Sequence, residues 1–257
     1  MEYRRWEDYF WPGTNVLRNK LNIDNSLLLS FVETQVSYSR IYERVIAGAT
    51  GSFDYDHMRQ VHRALFSDVY DWAGEPRTVP DNPMTKRGPD VVNHEVADPN
   101  APTVVYRYYP GPQVAAAAET LYARLADEQW LSGLERERFV SRLSRYWGAA
   151  NAIHSFREGN TRSQLVFFHE LARNAGYDVG LSMLHDERRQ EFVAARFHGQ
   201  AVGHYRRLES LLAESVEPRE SLELTQRERR WAESLMERVE QAQEFLNRPP
   251  PGGGLEL

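Results

Sequence analysis

Along most of the chain, apolar positions recur at three- and four-residue steps, the spacing that places them on one face of a helix. Leu28, Phe31, Val32, Val36, Ile41 and Val45 form one such stripe. Asn25 or Ser26 stands where an N-cap belongs, so residues 25–47 are predicted to be helical. The run Gly48-Ala49-Thr50-Gly51-Ser52 breaks that helix. Asp54 then caps a second one predicted to continue through Trp72, with Met58, Val61, Leu65, Phe66 and Val69 inward and Gly74-Glu75-Pro76 as its stop. The pattern resumes over about 113–131 and 134–153, the latter marked by Phe139, Val140, Leu143, Tyr146, Trp147, Ala150 and Ile153. In 161–175 it is carried by Leu165, Phe168, Leu171 and Ala172 and ends at Asn174-Ala175-Gly176. Thr161 with Gln164 reads as a capping box at its start. Leu181 to Leu184 and then His185 to Leu212 carry further helical pattern. In 221–247, Thr225 pairs with Glu228 as a cap, and Leu235, Val239, Ala242 and Leu246 make a thin apolar stripe on a charged helix.

Residues 77–112 break this texture. Arg77-Thr78-Val79 and the run from Thr103 to Tyr109 are β-prone, with Pro80, Pro83, Pro89, Pro99 and Pro102 between them. A loose hairpin with a long loop is expected there. The fold class is therefore mainly α, with one small β-hairpin. Residues 1–24, aromatic-rich and broken by Pro12-Gly13, read as an arm packed on the core. The main domain is expected over 25–212, a charged helical extension over 213–247, and a disordered Pro/Gly tail over 248–257.

Composition narrows the function classes. The chain has 257 residues and a net charge of −6, so nothing favours a nucleic-acid surface. It has no cysteine, which excludes disulfides and thiolate metal sites. No apolar run of membrane-spanning length occurs, and the opening MEYRRWEDYFWPG lacks an apolar signal core. The cytoplasm is the expected location, with export as an effector left open.

The densest chemistry lies between two predicted helices, in His154-Ser155-Phe156-Arg157-Glu158-Gly159-Asn160-Thr161-Arg162. A loop that empties into a helix N-terminus meets unpaired N–H groups and the positive end of the helix dipole. With Gly159, Asn160 and Arg162 it makes an anion cradle, best suited to phosphates. Glu158 would repel phosphates unless a cation lay between, and Mg²⁺ held by a carboxylate and phosphate oxygens fills that role. His154, with an ordinary pKa near neutrality, could take a proton from an incoming hydroxyl. Together these groups point to attack of a hydroxyl on a nucleotide phosphate.

This stretch resembles the signature loop of the Fic (filamentation-induced-by-cAMP) family, H-x-F-x-[DE]-G-N-[GK]-R-x-x-R. His154, Phe156, Glu158, Gly159, Asn160 and Arg162 stand at its positions. Residues 9–24 resemble the amino-terminal opening of many bacterial Fic proteins, and 53–79 the helix leading into the family's flap, so the likeness extends over roughly 9–200. Three positions depart: Ser155 replaces a common proline, Thr161 a glycine and Leu165 the final arginine.

The resemblance implies a Fic-type helical domain, with the flap at about 77–112 and the motif loop at 154–162. It implies a protein adenylyltransferase that moves AMP from ATP, with Mg²⁺, to a Tyr, Thr or Ser hydroxyl of a target protein. In that scheme His154 is the general base, Glu158 holds Mg²⁺, Gly159 and Thr161 offer backbone N–H groups, Asn160 meets the α-phosphate and Arg162 the β-phosphate. The target docks on the flap by strand addition. Phosphoryl or other nucleotidyl transfer, and a non-catalytic nucleotide-binding module, are the alternatives. Many relatives are silenced by a helix carrying [ST]-x-x-x-E-[GN]. Here the only Glu followed by Gly or Asn is Glu158 itself, so no inhibitor of that form exists in the chain. A small antitoxin in trans, as for the toxin of a toxin–antitoxin pair, is one expectation, and a divergent inhibitor within 221–247 another. The other seven of the 8 histidines are expected to have ordinary packing or surface roles.

Overall fold

Trp147 marks the centre of the molecule. It is fully buried on α4 (Arg136–Ile153), stacked at 4.9 Å on Phe168 of α5 (Asn160–Asn174) and edge-on at 5.1 Å to Phe192 of α6 (Asp186–Val202). Each fully buried side chain of this size contributes ~1.5–3 kcal/mol. In this computed structural model, residues 3–79, 84–179, 186–221 and 223–247 are described. Around the α4–α5 pair lie α2 (Tyr55–Phe66) against α5, α3 (Gly111–Asp127) against α4, and α7 (Arg206–Ala213) against α4 and α6. α1 (Ser26–Ile46) packs on α2, and α8 (Gln226–Asn247) lies along α1. The aromatic arm closes over the core through buried Tyr9 and Val16, with Tyr3 stacked on Tyr9 at 4.5 Å.

Several helix boundaries follow the predicted chemistry. The Asn25 side chain accepts from the Leu28 N–H, and Asp54 from the His57 N–H. At α8 the capping box forms in full: Glu228 accepts from the Thr225 N–H and Thr225 from the Glu228 N–H. Others differ. α2 ends at Phe66, six residues before the predicted Trp72, and a turn follows in which the Val69 and Tyr70 N–H groups share the Phe66 carbonyl. Trp72 is thereby free to stack on Tyr70 at 4.3 Å and meet Tyr9 edge-on at 5.9 Å. The predicted run His185–Leu212 holds two helices, α6 and α7, separated at Gly203, whose φ of 78° no helix accepts, and His185 itself lies outside the described residues. The stretch Leu181–Leu184, the tail 248–257 and the side chain of Leu246 lie outside the described residues.

The hairpin consists of β1 (Thr85–Pro89) paired antiparallel with β2 (Thr103–Arg107), Lys86 opposite Tyr106. Arg77-Thr78-Val79, predicted as the first strand, is not one. It is pulled inward instead, with Arg77 and Val79 buried. The long connection is ordered locally: Asp90 accepts from the Val92 and Asn93 N–H groups, and Asp98 from that of Asn100. Tyr106 holds the hairpin to α6 by stacking on Phe197 at 4.3 Å. A second ribbon, β3 (Tyr177–Val179) with β4 (Val216–Pro218), has no counterpart in the expected single hairpin.

Candidate active site

α4 ends at His154, whose φ of 52° and ψ of 63° put a non-glycine residue in the left-handed region, where L-residues are strained. What holds it there is Arg77. Its Nε donates to the His154 carbonyl at 2.7 Å and its Nη2 to the Ile153 and Tyr109 carbonyls at 3.0 and 2.6 Å. The last carbonyls of a helix lack partners, and a buried guanidinium supplies them here. The Arg77 N–H also donates to the Ser155 carbonyl at 2.8 Å. The His154 ring lies flat on Tyr108 of the flap, 3.7 Å between centroids. Burial, then the charges of Arg77 and Arg196, push its pKa well below the usual histidine value. The imidazole is thus neutral and able to accept a proton.

The loop beyond is pinned from two sides. His62 of α2 donates from Nε2 to the Glu158 carbonyl at 3.0 Å while its Nδ1 accepts from the Gly74 N–H at 2.8 Å. Burial lowers the His62 pKa to about 3, consistent with this neutral tautomer. The ring also stacks on Phe156 at 3.8 Å. On the other side, Asn160 Oδ1 accepts from the Phe156 N–H at 2.9 Å and Nδ2 donates to its carbonyl at 2.7 Å. One amide hydrogen of Asn160 remains for a ligand. Arg157 points away toward the arm, 4.2 Å over Trp6 and 5.1 Å over Phe10.

The cap of α5 is Gly159, not the Thr161–Gln164 box. Gly159 has φ 76°, and a Cβ there would lie 2.4 Å from the Phe66 ring. Any other residue would therefore be both strained and in collision. Thr161 falls inside the first turn and accepts from Arg196 Nη2 at 3.3 Å, while Gln164 donates to the Ala150 carbonyl at 3.3 Å. Glu158 is exposed, with Oε1 accepting from the Gly159 N–H at 3.0 Å. His154, Glu158, Gly159, Asn160, Thr161 and Arg162 all line one cavity of about 940 Å³.

Arg162 is already engaged. Its Nη1 donates to Glu33 Oε2 at 2.9 Å and to Ser37 Oγ at 2.7 Å, and its Nη2 to Glu33 Oε1 at 2.8 Å. Burial alone would lower the Arg162 pKa, but the Glu33 carboxylate outweighs it and raises it. Glu33 itself is raised by burial, with Arg162 pulling the other way. Leu165 is fully buried in the core and lies outside the cavity lining.

Four residues at this site were not singled out in the sequence: Arg77, His62, Glu33 and Arg196. Glu33 left a signal. The buried positions of α1 are Leu29, Glu33, Ser37, Ile41 and Val45, an unbroken four-residue repeat. The predicted stripe began on Leu28, which is exposed. A Glu and a Ser on an inward stripe are the mark of a buried polar contact.

None of the described residues of α8 lines this cavity. Trp231, Ala232, Leu235, Val239 and Ala242 bury its apolar stripe. Beneath it, Glu228 Oε1 is 3.1 Å from His169 Nε2 and 2.8 Å from Arg219 Nη1, with Asp178 Oδ2 accepting from Thr225 at 3.1 Å. Their ligand atoms are close enough to hold a metal ion, but Arg219 already brings a cation to the same carboxylate. This cluster clasps α8 to α5 and β3.

Residues 52–172 match the Fic/DOC family profile. The chain is 35% identical over 190 residues to the probable protein adenylyltransferase y4lH of Sinorhizobium fredii, covering 74% of this chain and 87% of that protein. It is 35% identical over 173 residues to the protein adenylyltransferase VbhT of Bartonella schoenbuchensis, covering 67% of this chain but only 32% of that longer protein. The fold resembles that of the N-terminal Fic domain of a putative cell filamentation protein from Bartonella quintana with bound ADP. The TM-score is 0.70 at 24% identity, over 84% of this chain and 97% of that one. The motif loop, the helix N-terminus it feeds and these likenesses agree: the chain belongs to the Fic/DOC family.

Proposed function

We infer that the protein is a nucleotidyltransferase, a protein adenylyltransferase that moves AMP from ATP to a hydroxyl of a target protein. The observation that carries this reading is the meeting in one cavity of a neutral His154, the α5 N-terminus and the Arg162 guanidinium. His154 takes the proton of the attacking hydroxyl. The first N–H groups of α5 and the free amide hydrogen of Asn160 receive phosphate oxygens. Arg162 is placed for the next phosphate once it leaves Glu33. Donors held in advance of the reaction are the electrostatic term that dominates many active sites. Glu158, an exposed carboxylate on the cavity wall, fits a Mg²⁺ site completed by phosphate oxygens, and the ion would neutralise phosphate charge.

The target would dock on the flap. Among the described residues β1 pairs only with β2, which leaves its outer edge for an added strand, and exposed Lys86 and Arg87 would favour an acidic segment. A separate small inhibitor chain would have to contend with Glu33 for Arg162. No helix of the described residues is long and apolar enough to cross a membrane, and a cytoplasmic site of action is part of the proposal. The test is incubation of a lysate with ATP labelled at the α- or the γ-phosphate. Label transferred to protein from the α-position and absent from the γ-position supports adenylyl transfer. Label from the γ-position instead would make the protein a phosphoryl transferase.

A further inference from the structure

Among the described residues, Arg196 of α6 is a charge without a counter-charge, in a place where charges are costly. Its side chain is 97% buried by the residue's 3% exposure. Its one hydrogen bond among the described residues is the 3.3 Å contact from Nη2 to Thr161 Oγ1. Nε and Nη1 are buried without a hydrogen-bond partner. The guanidinium stacks 4.3 Å over Phe192, which supplies no counter-charge. Three other buried arginines are matched by acceptors: Arg77 by three carbonyls, Arg162 by Glu33 and Ser37, Arg219 by Glu228. Burial lowers the Arg196 pKa to about 10, and no carboxylate of the described residues is among the groups that act on it. An unpaired buried cation destabilises a fold unless something compensates for it.

The position says what that is. Arg196 lines the same cavity as His154, touches the first turn of α5 through Thr161, and is close enough to Tyr108 and His154 to shift both. It stands on the flap side of the cavity, where the attacking hydroxyl meets His154. Arg162 stands on the opposite, α1 side. We propose that Arg196 is a further catalytic residue, whose free N–H groups bind a non-bridging oxygen of the phosphoryl group under attack. The proposal rests on the transfer reading given above. In the step, the hydroxyl oxygen bonds to the α-phosphorus and its proton passes to His154. The bond from that phosphorus to the bridging oxygen breaks, and pyrophosphate leaves with the electron pair. Charge rises on the non-bridging oxygens as this happens, and a fixed guanidinium meets it.

The test compares wild type, Arg196→Gln, Arg196→Lys and His154→Ala for label transfer from α-labelled ATP to lysate proteins. ATP affinity by calorimetry and the melting temperature are measured alongside. Arginines in this role are worth ~10³–10⁵-fold in rate. Arg196→Gln is expected to lose about 10³-fold in transfer while ATP affinity falls less than about tenfold. Its melting temperature should hold or rise, because an unpaired buried charge has been removed. Arg196→Lys, which keeps the charge, should recover part of the transfer. Transfer at the wild-type rate by Arg196→Gln overturns the proposal, and so does a parallel fall in melting temperature and transfer, which would mark a structural arginine. If Arg196→Gln does not fold, wild-type transfer by Arg196→Lys overturns it, because a flexible ammonium does not reproduce the fork. If wild type and His154→Ala transfer label equally, the underlying reading has failed instead.

Discussion

The two sides of the cavity differ in one respect that bears on function. On the α1 side, the charge of Arg162 is matched: Glu33 accepts two of its hydrogen bonds and Ser37 a third. On the flap side, Arg196 is almost unmatched and His154 is held neutral beside it. Both arginines come from helices of one core and both are removed from water. The difference is the presence of a carboxylate. In the proposed reading, a nucleotide on the flap side would gain interactions that no described residue supplies, while on the α1 side it would displace Glu33. The site would then be poised for chemistry at one end and guarded at the other.

Breaking the flap side has the largest expected effect. His154→Ala should lower transfer from α-labelled ATP by ~10²–10⁴-fold, the usual worth of a general base, with ATP binding retained in calorimetry. Transfer at the wild-type rate would remove His154 from the base role and with it the contrast between the two sides.

Breaking the guarded side should act on stability first. Arg162→Met leaves Glu33 buried without its partner, a loss of ~3–5 kcal/mol in denaturant unfolding. Glu33→Gln does the reverse, releasing Arg162. In the His154→Ala background it should tighten ATP by roughly tenfold, about 1.4 kcal/mol. An unchanged affinity would mean that Glu33 does not guard the site.

Acid tests the loop that joins the two sides. His62 is neutral in the fold, with a pKa lowered to about 3 by burial against an ordinary 6.5 when unfolded. Folding therefore requires it to shed a proton below pH 6.5. Its contribution is intact above that pH and is lost as pH falls toward 3, at about 1.4 kcal/mol per pH unit. His62→Gln should be less stable at pH 7.5 but should lose stability more slowly on acidification, by that slope. Parallel curves for the two proteins would show that His62 does not titrate on unfolding.

The smallest effect is expected at Leu165. The family arginine at this position is absent, and Leu165 packs wholly in the core. Calorimetry of the His154→Ala protein with ATP and with ADP should therefore differ by less than about tenfold. A larger preference for ATP would mean that another cation grips the third phosphate.

Much of this was legible in the residues. The motif loop was legible as a cluster, because His154, Glu158, Gly159, Asn160 and Arg162 lie within nine residues of one another and line one cavity. α1 and α4 were legible from apolar periodicity, and α8 from its capping box, since helices are made of contacts three and four residues apart. The inward face of α1 was misjudged by one residue. Leu28 and Leu29 are equally apolar, and only the presence of α2, α8 and Arg162 selects the stripe that carries Glu33.

The sequence by itself determined that a histidine, a carboxylate, an asparagine and an arginine stand at a helix junction in a mainly α chain. Local spacing carries that information, and it survives whatever the rest of the chain does. The tertiary structure alone decided which distant groups complete the site. Arg77 reaches back 77 residues to hold His154 in its left-handed turn. Glu33 crosses 129 residues to occupy Arg162, and Arg196 arrives from α6 with Thr161 as its one hydrogen-bond partner among the described residues. Such pairings depend on which helix faces pack together, and that is settled by the burial of apolar surface over the whole core.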